Sequence, residues 1–291
     1  MGYIARSAAS PRNPEDARKR RVIGVVNPQM NNPFFGELAC AISQMAEARA
    51  LDVLIMNSCD SPMLEEAAID RLMAYGVDGI ILTVISSNHR YRPGYFQRLS
   101  EAGIAVVLVD REVDAPHHAG VYIDNLDCGY QAGLWMRKQP VRRLLILAGP
   151  ADSMVTIGRV SGIREALGDS HIELEVHYGD FSATPAEQFL KTRLETFPRP
   201  DALIGINNQI TLGILGAYHR AGLPLPATPN GPPLFCIDGI AHAETLGLAI
   251  PCIRHDLSAM ATQSIDLLLD ALGEQRGQGT RQIVRGHLHL P

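Results

Sequence analysis

Residues 21 to 35 read RVIGVVNPQMNNPFF. An apolar run at 22 to 26 gives way to a polar loop with Asn27, Asn31 and Asn32, and Pro33 then precedes two aromatic residues. A short apolar run closed by turn residues predicts a buried strand. Pro fits the first turn of a helix, where its missing N–H would have had no partner. The stretch therefore predicts strand, loop, helix. Open parallel sheets bind ligands at the carboxyl ends of their strands, which is where these amides and aromatics fall. Phe34 and Phe35 admit two readings at this point: core residues of the helix, or one wall of a site.

The unit repeats outward. Leu38, Ala39, Ile42, Met45 and Ala46 recur at helical spacing. Strands are predicted at 53–56, 79–83 and 104–109, with helices at 63–75 and 96–102 between them. Past Asp124 and Asn125 the rhythm starts again, with helices at 130–138, 155–167, 185–197, 210–221 and 257–272. Strands at 144–147, 172–176, 202–206, 234–237 and 248–253 alternate with them, and a last extended stretch covers 282–288. This alternation predicts an α/β fold of two Rossmann-like lobes, each a parallel sheet flanked by helices, with a ligand between them.

Composition sets the outer bounds. A length of 291 residues suits two domains or one fold with two lobes, and 46% apolar against 20% charged residues is enough to fill a core. The net charge of -5 speaks against nucleic-acid binding by this chain's bulk field. No apolar run approaches the roughly 20 residues that span a bilayer, and the amino terminus has no apolar segment of a secretory signal. The expectation is a cytoplasmic protein with no membrane partner. Cysteines at 40, 59, 128, 236 and 252 lack C-x-x-C spacing and predict neither a zinc site nor a disulfide framework. Residues 7 to 19, rich in Ser, Pro and charge, read as a linker.

Enzyme signatures are missing: there is no phosphate loop, no G-x-G-x-x-G after the first strand, no G-x-S-x-G and no H-E-x-x-H. His287 and His289 would share a strand face, but two histidines without a third ligand make a poor metal site. No enzyme activity, cofactor or metal is expected. What recurs is a polar group at the strand ends: Asn27, Asp110-Arg111, Asn207-Asn208, Asp238 and His255-Asp256. Any one of these can be a helix N-cap. Together, along one edge of two facing sheets, they offer carboxylates, amides and a guanidinium that can satisfy vicinal hydroxyls in pairs, with Phe34 to cover an apolar ring face. That chemistry suits a carbohydrate or polyol.

The ordered series IGVVNPQMNNPFF (23 to 35), GVDGIIL (76 to 82), VVLVDRE (106 to 112), VYIDN (121 to 125), LAGP (147 to 150), DALIGINNQITLG (201 to 213) and FCIDG (235 to 239) resembles the type I periplasmic binding protein fold. Ribose- and galactose-binding proteins share that fold with the effector domains of LacI-family transcriptional regulators. The resemblance covers almost the whole chain from Arg21. It implies ligand contacts at Asn27, Asn32, Phe34, Phe35, Asp110, Arg111, Phe181, Asn207, Asp238 and His255. It also implies a three-segment hinge, with crossings near Asp124-Asn125, near His255-Asp256 and within 281 to 283. The amino-terminal lobe would then be 21–124 plus 256–281, the carboxyl-terminal lobe 125–255 plus 282–291, and 1–20 a linker or hinge remnant. One departure stands out: where the family pattern has an Arg two residues before Arg159, this chain has Ile157. Losing that fork implies a smaller, less hydroxylated or differently oriented ligand.

Two functions share the fold. A LacI-type regulator couples lobe closure around a sugar-like effector to operator DNA binding, as a homodimer and through a headpiece absent from this chain. A solute-binding protein of an ABC sugar transporter, here without its signal peptide, is the alternative. Gly2-Tyr3 and the following Ile4-Ala5-Arg6-Ser7 resemble the regulators' junction between headpiece and hinge, and the closing RQIVRGHLHLP resembles their last strand. The expectation is the regulator.

Overall fold

The computed structural model describes residues 20–88, 90–113, 118–273 and 279–291. The expected headpiece junction and nearly all of the expected linker at 1–20 lie outside the described residues. The chain runs β1 (Arg21–Asn27), α1 (Pro33–Ala48), β2 (Leu51–Asn57), α2 (Pro62–Tyr75), β3 (Gly79–Leu82), α3 (Tyr95–Glu101), β4 (Ala105–Asp110) and β5 (Ala119–Ile123). It continues through α4 (Asn125–Arg137), β6 (Arg143–Ala148), α5 (Met154–Leu167), β7 (Glu173–Tyr178), α6 (Ala183–Glu195), β8 (Ala202–Gly205), α7 (Asn208–Arg220) and β9 (Leu234–Ile237). β10 (Cys252–His255), α8 (Leu257–Leu272), β11 (Arg281–Val284) and β12 (Gly286–His289) close it.

Two six-stranded sheets result, in the orders β11-β5-β4-β3-β1-β2 and β12-β10-β9-β8-β6-β7. Position by position the orders correspond, so β1 matches β6 and β4 matches β9. Every pairing is parallel except that of β12 with β10. α1 packs with α8 and α2 with α3 around the first sheet, and α4 with α5 and α6 with α7 around the second. The α/β fold with two lobes is therefore as expected.

Local chemistry sets these elements. The Asn32 side chain caps α1 by accepting from the Phe34 N–H at 3.2 Å, Pro33 follows it, and Phe34, Phe35, Leu38, Ala39 and Ile42 form the buried stripe. α4 and α5 meet backbone to backbone: a Cβ on Gly129 would overlap the Arg159 carbonyl, and one on Gly162 would overlap that of Leu126. Only glycine permits that approach, and it sets where α5 presents Arg159.

The chain passes between the sheets after β5, after β10 and between β11 and β12. The third passage corrects the expected boundary. Residues 281 to 284 pair with β5 in the first sheet, so the crossing falls at Arg285 and not within 281 to 283, and residues 282 to 284 do not belong to the second lobe. The single extended stretch predicted there is two strands. β5 itself was not predicted: five residues with a glycine among them carry little pattern. α4 begins at Asn125, five residues before the expected helix, because the Asp124 side chain caps it through the Asp127 N–H at 3.0 Å.

Candidate ligand cleft

The corresponding strands β4 and β9 each end on an aspartate in the left-handed region, Asp110 at φ 66° and Asp238 at φ 77°. Asp and Asn tolerate that conformation better than most side chains. Both residues line one cleft between the lobes, together with Asn32, Phe34, Phe35, Arg111, Phe181 and Asn207.

The second lobe's wall is tightly bonded. Arg159 reaches Asp238 through two nitrogens, at 3.0 and 3.2 Å, donates to the Asn125 side chain at 2.8 Å and also bonds the Ile206 carbonyl. His255 donates from Nε2 to Asp238 at 2.8 Å, since a carboxylate can only accept, and its Nδ1 is buried without a partner among the described residues. Burial alone would push the Asp238 carboxyl up, but the Arg159 guanidinium and the His255 bond outweigh it and hold it down to about 2. Its charge is fixed.

Asp110 differs. It is buried, and among the described residues its carboxylate receives no hydrogen bond. Burial pushes its carboxyl up, against the pull of Arg111 and Arg159. The Arg111 guanidinium is turned to the Val84 and Ile85 carbonyls, at 3.2 and 2.5 Å, reaches Asp60 at 3.4 Å, and lies over the Phe35 ring at 5.4 Å.

Several assigned roles change. Asn27 does not line the cleft: it is buried and donates to the Phe35 carbonyl at 3.2 Å, fastening the loop between β1 and α1. Asn207 lines the cleft, but its side chain is engaged by the protein, accepting from the Ile210 N–H at 2.7 Å and donating to the Phe181 carbonyl at 3.0 Å. His255 stands behind Asp238 and edge-on to Phe34, with ring centroids 5.8 Å apart, and lines an adjoining groove. Phe34 and Phe35 satisfy both earlier readings, since they belong to the core and also line the cleft. His289, one of the two strand histidines, bonds Glu244 at 2.7 Å.

The Ile157 departure is also corrected. Ile157 is 41% exposed and off the cleft, while Arg159, two residues on, is 3% exposed and lines it. Two residues are about 200° of helix, so a guanidinium at 157 would face away from the cleft. The fork is not lost, and the inference to a smaller ligand lapses. Sequence reasoning did not place Arg159 in the site. A signal existed, because Arg159 interrupts the stripe Val155, Val160 and Ile163 on α5, and an arginine on a buried face requires a partner.

Asn208 was named among the strand-end polar groups but not among the expected ligand contacts. Its amide donates to the Asn32 oxygen at 2.9 Å, joining the first residue of α7 to the cap of α1 across the lobes. The far lip is joined as well: Ser87 and Ser153 hydroxyls lie at 2.5 Å, Asn88 donates to Asp152 at 2.6 Å, and the Met154 N–H to the Ser87 carbonyl at 3.0 Å. The lobes are closed.

Comparison with known proteins agrees with this fold. The periplasmic binding protein domain matches residues 23–246. The catabolite repressor/activator of Escherichia coli strain K12 is 28% identical over 213 residues, covering 72% of this chain and 63% of that protein. The chain thus spans a little under two thirds of that relative's length. The sucrose operon repressor of Pediococcus pentosaceus is 25% identical over 257 residues, 88% of this chain and 76% of the repressor. Among solved structures, the Cra transcriptional dual regulator from Pseudomonas putida in complex with fructose 1-phosphate superposes with a TM-score of 0.83 at 20% identity, covering 93% of this chain and 98% of that one, which shows the fold.

Proposed function

We propose, from the premise that this chain belongs to the periplasmic binding protein domain family, that it is the ligand-sensing part of a LacI-type transcriptional regulator. Its effector is a small carbohydrate, polyol or sugar acid held between the lobes. The observation that carries the reading is Asp110, a buried carboxylate that receives no hydrogen bond among the described residues, facing a wall whose charges are already paired. A hydroxyl pair supplies the donors that Asp110 lacks. Phe34 covers a ring face, and Asn32, Phe35, Arg111, Phe181 and Asp238 complete the contacts. Asn27, Asn207 and His255 position them.

The curated relatives are named as repressors and a repressor/activator, which favours the regulator over the transport carrier on a fold that serves both. Those relatives are regulators rather than enzymes, and no enzymatic role is proposed here. Lobe closure would be passed to operator DNA through a headpiece joined ahead of Arg20, in a cytoplasmic homodimer. Met63, Leu64 and Tyr75 on α2 and Ile55 on the neighbouring edge strand, all exposed, support such an interface. Among the described residues no helix is long and apolar enough to cross a membrane.

A ligand shifts the lobes only by binding the closed form better, and a hundredfold preference corresponds to about 2.7 kcal/mol. Asp110→Asn tests the site, since it removes the charge and no protein bond. Sugars that raise the melting temperature of the parent should leave this variant unmoved, with its far-UV spectrum unchanged. An undiminished response by the variant would place the effector elsewhere.

A further inference from the structure

Three carboxylates and two guanidiniums line the cleft: Asp60, Asp110 and Asp238 against Arg111 and Arg159. Two ion pairs form among them, Arg159 with Asp238 at 3.0 Å and Arg111 with Asp60 at 3.4 Å. Asp110 is left over. His255 is committed as well, since its Nε2 goes to Asp238. Among the described residues the cleft therefore holds one carboxylate that no guanidinium is paired with, and it is the one that receives no hydrogen bond. Asp110 is only 8% exposed, yet its oxygens keep contact with the open space of the cleft, unlike the enclosed side-chain oxygens of Asn27 and Asn208.

Three phenyl rings share the cleft with that carboxylate: Phe34, Phe35 and Phe181. The face of an aromatic ring attracts cations. Phe35 already carries the Arg111 guanidinium, 5.4 Å from its centre, which leaves Phe34 and Phe181. A hydroxyl can donate to Asp110 but leaves its buried charge uncompensated, and an isolated buried charge is costly. An ammonium brings three donors and the missing charge together. A carboxylate or phosphate on the ligand would instead set a second negative charge against Asp110, with both guanidiniums already paired.

The cavity also limits what enters. It measures about 40 Å³, and a water takes roughly 10–15 Å³ on that measure, so an aminomethyl group fits with the lobes closed as they stand. The remainder of the ligand passes Phe34 and Asp238, which also line the adjoining groove of about 430 Å³.

We infer that the effector carries a primary ammonium group, as an amino sugar or amino polyol does, and that Asp110 selects it, with Phe34 and Phe181 beside it. This assignment rests on the sugar-sensing reading above and narrows it: the donors at Asp110 include an ammonium, and sugar acids drop out.

The test is thermal shift and calorimetry on the whole chain at pH 6.5, where amines keep their proton. The probes are matched sets: glucamine, sorbitol and gluconate; glucosamine, glucose and N-acetylglucosamine; galactosamine, galactose and N-acetylgalactosamine. In at least one set the amine should bind ten times more tightly than its hydroxyl counterpart and than its acidic or acetylated one. Asp110→Asn keeps a side chain that tolerates the left-handed backbone and should lower that amine's affinity at least tenfold with a parental far-UV spectrum. A hydroxyl, acetylated or acidic member that binds as tightly as its amine overturns the inference and leaves the sugar reading standing, as does parental amine affinity in Asp110→Asn. Silence across every set overturns the sugar reading and this inference together.

Discussion

Asp110 and Asp238 end corresponding strands of the two lobes, share an uncommon backbone conformation and face one cleft, yet their chemistry is opposite. Asp238 is bonded to Arg159 and His255 and held down to about 2. Asp110 receives no hydrogen bond among the described residues, and burial pushes its carboxyl up. The second lobe thus presents a preassembled wall, and the first presents an unmet acceptor. A switch gains from this division, because a ligand that supplies Asp110's missing donors while resting on a fixed wall binds the closed arrangement better than the open one.

The largest effect should come from breaking the fixed wall. Asp238→Ala leaves Arg159 buried without its carboxylate and should cost about 3–5 kcal/mol in urea unfolding. If Asp238→Ala cost less than about 1 kcal/mol, or if Asp110→Asn were equally destabilising, the contrast between the lobes would be wrong.

Next comes the support beneath the first lobe's wall. Glu65 is fully buried and accepts from the Tyr91 and Tyr95 hydroxyls at 2.6 and 2.7 Å and from the Ile85 N–H at 2.6 Å. Ile85 in turn offers its carbonyl to Arg111. Burial pushes the Glu65 carboxyl up despite these bonds. Glu65→Ala strands three donors and should cost about 2–4 kcal/mol, again read by urea unfolding.

Asp110→Asn should act in the other direction and by less, raising unliganded stability at neutral pH by about 1 kcal/mol because a buried charge is relieved. Its pH dependence sharpens the point. A carboxyl raised in the folded state contributes stability that is complete below its unfolded value, about 3.9, and lost as pH rises through the folded value. The variant's advantage over the parent should therefore grow as pH rises from 4 and vanish at pH 3. Asp238 has the opposite sign: its contribution is present above about 3.9 and lost as pH falls toward 2, and urea midpoints between pH 2 and 5 will show it.

The smallest expected change is at the lip. Asn88→Ala removes an exposed contact with Asp152 and should cost no more than about 1 kcal/mol. It should bias the lobes toward the open form, seen as a larger radius of gyration in solution scattering.

The sequence by itself determined the layout: alternating strands and helices, two lobes, and polar residues collected at strand ends. Periodicity and strand-end chemistry are local, so residues 21 to 35 already announced strand, cap and helix. Which strand-end residues face the cleft was decided only by tertiary packing. Asn27 turned inward to fasten a loop and Asn207 became a bonded cap, because each found backbone partners that no spacing reveals. Arg159 entered the cleft, and Ile157 left it, through the close approach of α4 and α5 at Gly129 and Gly162. The third crossing moved to Arg285 because residues 281 to 284 found a partner strand in β5, more than 150 residues earlier in the chain. Composition places an aspartate at both Asp110 and Asp238. Only the neighbours gathered around each decide that one is already satisfied and the other is open to a ligand.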